Sequence, residues 1–118
     1  GHLDINASSF DGLKLEDETL RKALQFATWK LESLSKWEKD EIFNAMKSLA
    51  QTMEIKPKDF FAPLFVAIAG TTSSVSVFDS MAILGPDISR ARLRAAVNAV
   101  GSPSKKEGKR WEKEFQAL

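Results

Sequence analysis

The apolar residues between positions 20 and 34 constrain this chain more than any other feature. They recur at alternating steps of four and three residues, which places them on one stripe of an α-helix. Asp17 and Glu18 stand at the first turn, where carboxylates are favoured by the positive end of the helix dipole. The segment therefore predicts a helix that buries one face against the rest of the molecule. The stripe consists of Leu20, Leu24, Ala27, Leu31 and Leu34.

A second helix is predicted directly after this stripe. Ser35 and Glu38 have the spacing of a capping box, in which each side chain bonds the backbone N–H of the other residue. The helix would run from about Lys36 to Met53, antiparallel to the first, so that the two form a helical hairpin. Its inner stripe is Ile42, Met46, Leu49 and Met53.

Proline and glycine mark the bounds of the third helix. Pro57 suits a first turn, because its missing N–H has no helical partner there. Pro63 predicts a kink or a restart, and Gly70 suits a left-handed C-terminal cap. Beyond it the pattern is ambiguous, since β-branched alternation up to Phe78 is also typical of a two-stranded hairpin. The residues alone leave helix–loop–helix and hairpin open.

Three further helices are predicted after this ambiguous stretch. Ser76 and Asp79 have the form of a helix start, and that short helix would end at Gly85. The next begins at Pro86 and breaks at Gly101, and a last amphipathic helix fills residues 104–118. The resulting fold class is all-α, a bundle of about six helices. Expected to face inward are Ile88, Leu93, Val97 and Val100, and then Trp111, Phe115 and Leu118; Arg90, Arg92 and Arg94 are expected to face mostly outward.

Composition supports one domain and excludes several classes of protein. The chain has 118 residues, 43% of them hydrophobic and 28% charged, which is ordinary globular composition. Residues 1–15 lack periodicity and are interpreted as a tag remnant, Gly1-His2, with a linker or lead-in, and residues 16–118 as the helical domain. No apolar run is long enough for a membrane span. The absence of cysteine excludes disulfides and fits a reducing cytoplasm.

No constellation of catalytic residues is visible in the sequence. The single histidine is His2, and no cysteine can supply a metal ligand or a nucleophile, so metal binding and nucleophilic catalysis are not expected. Gly70 and Gly85 are isolated and do not form a phosphate-cradling loop. The acidic residues around Asp40 read as a solvated helix face.

Charge is distributed unevenly although the net charge is only +1. Residues 1–20 carry one lysine and five acidic residues, whereas residues 86–118 carry eight basic and four acidic residues. One interpretation is ordinary surface variation. The other is that the C-terminal third offers cations to phosphates while the N-terminal strip stays clear of nucleic acid.

One stretch resembles a known family. Pro63-Leu64-Phe65-Val66-Ala67-Ile68-Ala69-Gly70 is followed by Val77-Phe78, Ile83-Leu84-Gly85 and Arg92-Leu93. This order and spacing resemble the anticodon-reading part near the C-terminus of bacterial glutamyl-tRNA synthetases, over residues 17–100 and most closely from Pro63 to Leu93. Because those proteins are all-α here, the resemblance favours helix–loop–helix over the hairpin.

The resemblance also implies a binding site. In the family the loop after the glycine contacts anticodon bases, which would give that role to Gly70, Ser74, Val75 and Val77. Phe65 stands where the family usually has arginine. It either packs into the core, relaxing selectivity, or stacks on an unpaired base. Phosphate contacts are expected from cations on two helices, namely Lys56 and Lys58 beside the start of the third helix, with Arg90, Arg92 and Arg94.

What the resemblance implies for function is recognition rather than chemistry. The chain would be the C-terminal anticodon-binding domain of a glutamate–tRNA ligase, with tRNA as its partner and no cofactor or catalytic site of its own. The parent would use ATP and Mg²⁺ in another domain, and would charge glutamate tRNA alone or glutamine tRNA as well. A cytoplasmic monomer without membrane contact is expected. The alternative is a helical protein-interaction module that binds no RNA.

Overall fold

The computed structural model describes residues 4–71 and 76–118 of the chain. In these ranges the secondary structure is helical: a 3₁₀ turn precedes six α-helices, and no strand occurs in either range, which confirms the all-α prediction. The turn is Ala7–Phe10, and the helices are α1 (Asp17–Glu32), α2 (Lys39–Thr52), α3 (Pro57–Ala69), α4 (Val77–Leu84), α5 (Pro86–Val100) and α6 (Lys105–Gln116).

Helices α1 to α5 enclose one hydrophobic core. Helix α1 packs against α5 and α2, while α3 and α4 pack against each other and against both α2 and α5. The stripe that predicts α1 is buried at Leu20, Leu24, Ala27 and Leu31, whereas Leu34 lies beyond the end of α1 and is partly buried. Removing such side chains from water is the main stabilising contribution to a domain of this size.

Helix α6 lies outside this group of five and packs on α1. Trp111 is fully buried, and its indole lies beneath the cations of Arg21 and Lys22 at 5.3 and 5.9 Å from the ring centroid. The ring of Phe115 meets Phe26 of α1 edge to face at 5.3 Å. Trp111 and Phe115 therefore face inward, as predicted. Leu118 does not: it lies beyond the end of α6 and is 51% exposed.

The lead-in contributes one side chain to the core. Phe10 in the 3₁₀ turn is buried, and the turn packs against α3 and α5. The lead-in is therefore packed against the core at Phe10, which its lack of periodicity does not predict. Gly1 and His2 lie outside the described residues, and their origin as a tag remnant stays a prediction.

The capping box expected at Ser35 does not form. Helix α2 begins at Lys39 with Glu38 as its N-cap, and no side chain caps it. The physical reason is Trp37, whose indole Nε1 donates to the carbonyl oxygen of Met81 at 2.9 Å and so holds the chain outside helical geometry. A capping box with the same spacing is instead present at α6, where Ser104 and Glu107 bond each other's backbone N–H.

The inner face of α5 also differs from the prediction at one position. Leu93 and Val97 are buried, whereas Ile88 is 42% exposed. Residues four apart share a helix face, so the position in line with Leu93 is 89, and Ser89 is fully buried there.

Candidate nucleic-acid interface

The connection between α3 and α4 is bounded by a glycine cap and a serine cap. Gly70 takes a left-handed conformation with φ of 78°, and its N–H donates to the carbonyl oxygen of Val66 at 2.8 Å. Only glycine adopts this conformation without cost, as the sequence predicts for a helix end. At the other side the Ser76 hydroxyl accepts from the N–H of Asp79 at 3.3 Å, which confirms the predicted start of α4.

Two of the expected base-contacting residues cannot be placed. Ser74 and Val75 lie outside the described residues, so their role stays a prediction. Val77 is placed, and its side chain is fully buried in the core. A base contact by that side chain is incompatible with this burial. The structure therefore corrects the prediction for Val77, whose buried side chain packs the first turn of α4 against the core.

Phe65 packs against the core and is partly buried. This position agrees with the first of the two alternatives, in which the ring serves packing. A partly buried ring also presents some surface to solvent, and the stacking of a base on it stays a prediction. Pro63, two residues earlier, lies within α3, which continues through it from Pro57 to Ala69.

A groove of about 280 Å³ opens beside the glycine cap, between the end of α3, helix α4 and the middle of α5. Its walls are mainly apolar, with one arginine and one hydroxyl. Ile83 is 85% exposed, a large apolar side chain left in solvent next to the connection. The groove is lined by Ile68, Ala69, Ser80, Ile83, Leu84 and Arg92.

Ile83 was not identified from the sequence as a site residue, although a signal was available. Val77 and Met81 of α4 are fully buried and lie one turn apart. A residue two positions after Met81 is rotated by about 200° and must point away from the core. The same periodicity that predicts the helix thus predicts an exposed isoleucine.

The three arginines of α5 point to three different partners. Arg90 donates through Nε and Nη2 to the carbonyl oxygen of Leu31 at 3.1 and 2.9 Å. Arg92 donates through Nη1 to the carbonyl oxygen of Ile68 at 2.6 Å. Arg94 is exposed and pairs with Glu32 at 2.9 Å. The expected outward orientation is therefore correct for Arg94 and wrong for Arg90 and Arg92, which are partly buried against backbone carbonyls.

Lys56 and Lys58 stand at the start of α3, as predicted. Lys56 is the N-cap residue and both side chains are exposed. No ion pair of either lysine occurs within residues 4–71 and 76–118. Their ammonium groups are therefore accessible to a polyanion.

An ion pair flanks the start of α4. The Lys39 ammonium lies 3.1 Å from the carboxylate of Asp79, and the two side chains are about half exposed. This hydrogen bond, together with one involving Ser76, lowers the pKa of Asp79 from its ordinary value. The carboxylate therefore stays ionised at neutral pH and ties the N-terminus of α2 to α4.

Within the described part of the chain, no group of three or more acidic or histidine side chains has an arrangement that could hold a metal ion. None of the helices described is both long enough and apolar enough to cross a membrane.

The described residues form an all-α domain with an apolar groove between α3, α4 and α5. The chain belongs to the anticodon binding domain family, whose model matches residues 1–97.

Similar proteins of known name extend the match over the whole chain. The glutamate–tRNA ligase of Marinomonas sp. (strain MWYL1) is 75% identical over 118 residues, which are all of this chain and 24% of that protein. The glutamate–tRNA ligase of Saccharophagus degradans is 56% identical over 116 residues, 98% of this chain and 23% of that protein. The chain thus spans about a quarter of the length of these relatives.

Proposed function

We propose that this chain binds the anticodon loop of a tRNA as the anticodon-binding part of a glutamate–tRNA ligase. The observation that carries the proposal is the family match over residues 1–97, together with 75% identity to a glutamate–tRNA ligase over the entire chain. The activity of the parent would be the ATP-dependent attachment of glutamate to tRNA, a reaction that takes place in the cytoplasm with the rest of translation. The chain would act there as a monomer.

The surface around the groove suits unpaired nucleotides. RNA loops are recognised through bases that are splayed out of the stack and meet side chains with their faces and edges. Ile83 and the exposed part of Phe65 offer apolar surface to a base face, and the Gly70 cap leaves backbone groups accessible beside them. Lys56 and Lys58 supply cations for the phosphates, and this electrostatic part of binding weakens as salt rises.

ATP and Mg²⁺ are expected requirements of the parent rather than of this chain. Mg²⁺ takes oxygen ligands from carboxylates and phosphates, and residues 4–71 and 76–118 contain no cluster of acidic residues that could supply them. We place both with the remainder of the parent, so that the contribution of this chain is to select and orient the tRNA.

The proposal is tested with the 118-residue chain and an RNA hairpin that carries the glutamate anticodon. We expect amide chemical shifts to change at Gly70, Thr71 and the first turn of α4, and the affinity to fall with salt. Lys56→Gln and Lys58→Gln should each reduce the log–log salt slope by about 0.7, the value for one phosphate contact on a single strand. Lys14→Gln is the matched control, because Lys14 is exposed on the acidic lead-in and should leave the slope unchanged.

Two outcomes would contradict the proposal. Amide shifts that do not change with RNA would leave the protein-interaction module as the better interpretation. An affinity that is equal for the anticodon hairpin and for a hairpin with a scrambled loop would show binding by charge alone.

A further inference from the structure

The two helices that flank the α3–α4 connection are held by side chains of α5 and of the α1–α2 segment. At the C-terminal end of α3, Arg92 Nη1 donates to the carbonyl oxygen of Ile68 at 2.6 Å. Ile68 is in the last turn of α3, where carbonyl groups lack the ordinary intrahelical partner. A charged donor suits this position, because the C-terminal end of a helix carries partial negative charge. The Gly70 cap follows two residues later.

In α4, the carbonyl oxygen of Met81 lies in the C-terminal half of the helix and accepts three hydrogen bonds. The donors are the N–H of Gly85 at 3.0 Å, the indole Nε1 of Trp37 at 2.9 Å and the hydroxyl of Ser89 at 3.3 Å. Two of these come from outside α4, so this carbonyl joins α4 to α5 and to the segment between α1 and α2. Ser89 is fully buried, which removes water as a competitor for its bond.

Trp37 is itself fixed by Arg90. The Arg90 guanidinium lies 5.2 Å from the centroid of the Trp37 ring, within the range of a cation–π interaction. The same guanidinium donates to the carbonyl oxygens of Leu31 and Leu34, at 2.9 and 3.3 Å for its Nη2. Arg90 therefore caps the C-terminal end of α1 and holds the indole that bonds Met81.

In these contacts the guanidinium groups of Arg90 and Arg92 donate hydrogen bonds to backbone carbonyls. A phosphate that approached Arg90 would compete with two carbonyls and a ring, and one that approached Arg92 would compete with Ile68 at 2.6 Å. Arg94 lacks such a tie to the connection, since it pairs with Glu32 on the exposed surface.

We propose that Arg92 and the pair Trp37–Arg90 are positioning residues for RNA binding, which fix the C-terminal end of α3 and the C-terminal half of α4, the helices on either side of the α3–α4 connection. Their effect on RNA passes through Ile68 and Met81, and they contact no phosphate. The inference rests on the proposed function for its RNA readout and on the geometry alone for its effect on the two helices.

The test uses three variants of the 118-residue chain. Trp37→Phe removes the donor to Met81 but keeps a ring under Arg90, and Arg92→Gln removes the charged donor to Ile68. Lys14→Gln is the control, because it removes one positive charge from an exposed lysine of the lead-in. Affinity for the anticodon hairpin is measured over a series of salt concentrations, on samples shown to be folded by their circular dichroism.

We expect Trp37→Phe and Arg92→Gln each to weaken binding by about three- to tenfold, the effect of one lost hydrogen bond. The salt slope should stay at the wild-type value, because no phosphate contact is lost. Lys14→Gln should leave affinity within about twofold. A slope that falls by about 0.7 in Arg92→Gln would identify Arg92 as a phosphate ligand and overturn its role here. Unchanged affinity in either variant would overturn the role of that residue.

A measurement without RNA separates this inference from the proposed function. Amide hydrogen exchange at Gly70 should be faster in Arg92→Gln than in the wild type, and exchange at Gly85 should be faster in Trp37→Phe. If the wild type binds no anticodon hairpin but both changes occur, the proposed function fails while the positioning of the two helices stands. If exchange at both amides is unchanged, the positioning inference fails whether or not the affinity for the RNA hairpin changes.

Discussion

Two surfaces of this molecule use their cations in opposite ways. On the α6 surface, where α6 meets α1, Arg21 pairs with Glu107 at 2.8 Å and Lys22 pairs with Glu114 at 2.8 Å, above a fully buried Trp111. On the α4 surface, around α4 and its groove, Arg90 and Arg92 bond backbone carbonyls and Ile83 stays 85% exposed. On the α6 surface the cations are paired with carboxylates, whereas the α4 surface leaves apolar area exposed to solvent.

This difference shows why counting charges is a weak guide to an RNA site. The last third of the chain carries an excess of basic residues. Glu107 and Glu114 of α6 form ion pairs with Arg21 and Lys22 of α1. Part of the charge in the last third of the chain therefore holds α6 against α1. Lys56 and Lys58 have accessible ammonium groups, and they stand at the start of α3, at the other end of this helix from Gly70.

The largest effect on stability is expected from truncating Trp111, the buried residue of the α6 surface. Trp111→Ala should lower the free energy of unfolding by about 3–5 kcal/mol, the range for large aromatic side chains in a core. We expect the RNA affinity of the remaining folded molecules to be unchanged. Urea unfolding measures the first effect and hairpin titration the second. Leu118→Ala is the control, since Leu118 is 51% exposed and its loss should change stability by less than about 0.5 kcal/mol.

A loss below about 1 kcal/mol in Trp111→Ala would contradict this prediction, because it would mean that α6 contributes little to the core. A parallel loss of RNA affinity would show that the two surfaces are coupled.

A matched pair of glycine substitutions sharpens the comparison further. Gly70→Ala should destabilise by about 1–2 kcal/mol, because alanine resists the left-handed conformation. Gly108→Ala, inside α6, should stabilise by about 0.5–1 kcal/mol, since alanine is the better helix former. An added Cβ meets nothing within 4 Å at either position, so the opposite signs would come from the backbone alone. Thermal unfolding measures both, and equal signs would contradict the assigned conformations.

The smallest effect is expected from pH on the α6 surface. The hydrogen bond from Arg21, followed by that from the Ser104 N–H, lowers the pKa of Glu107 from 4.5 to about 2. A carboxyl whose pKa is depressed on folding stabilises the folded state above its unfolded value, and this contribution is lost as pH falls from 4.5 towards 2. Glu107→Gln should therefore be less stable than the wild type at pH 6 and close to it at pH 2.5. A constant difference between the two proteins over this range would contradict the assignment.

The helices could be predicted because their signals are local. The 4-3-4-3 stripe of α1, the Pro57 start and Gly70 end of α3, and the Ser76 cap of α4 each depend on residues within one or two turns of each other. Helix formation and capping act over the same distance. The family resemblance then decided between helix and hairpin where local preference alone left both open.

The errors at Ser35 and Arg92 share a cause, which is contact between residues distant in sequence. Ser35 and Ser104 each precede a glutamate by three residues, yet only Ser104 caps a helix. The bond from Trp37 to Met81 spans 44 residues and overrides the local signal at Ser35. Arg92 was expected to face solvent for the same reason, because its partner Ile68 lies 24 residues away.

The location of the candidate site could be predicted from the sequence, but the contacts and burial of its residues could not. Gly70 and the start of α4 follow from the sequence, and so do the exposed lysines. The burial of Val77 depends on how α4 docks against the core, and the ties from Arg92 and Trp37 depend on helix packing. These are tertiary facts, which periodicity alone does not contain.

Trp37 has a practical consequence that follows from its contacts. Its indole is partly buried between a guanidinium and a carbonyl near the proposed binding surface, whereas Trp111 is sealed beneath α6 and Trp29 lies among the rings of Phe26 and Phe115. The natural fluorescence of the chain therefore combines emitters in three distinct surroundings. A change in emission when RNA is added, if it disappears in Trp37→Phe, would report on the proposed binding surface without any attached dye.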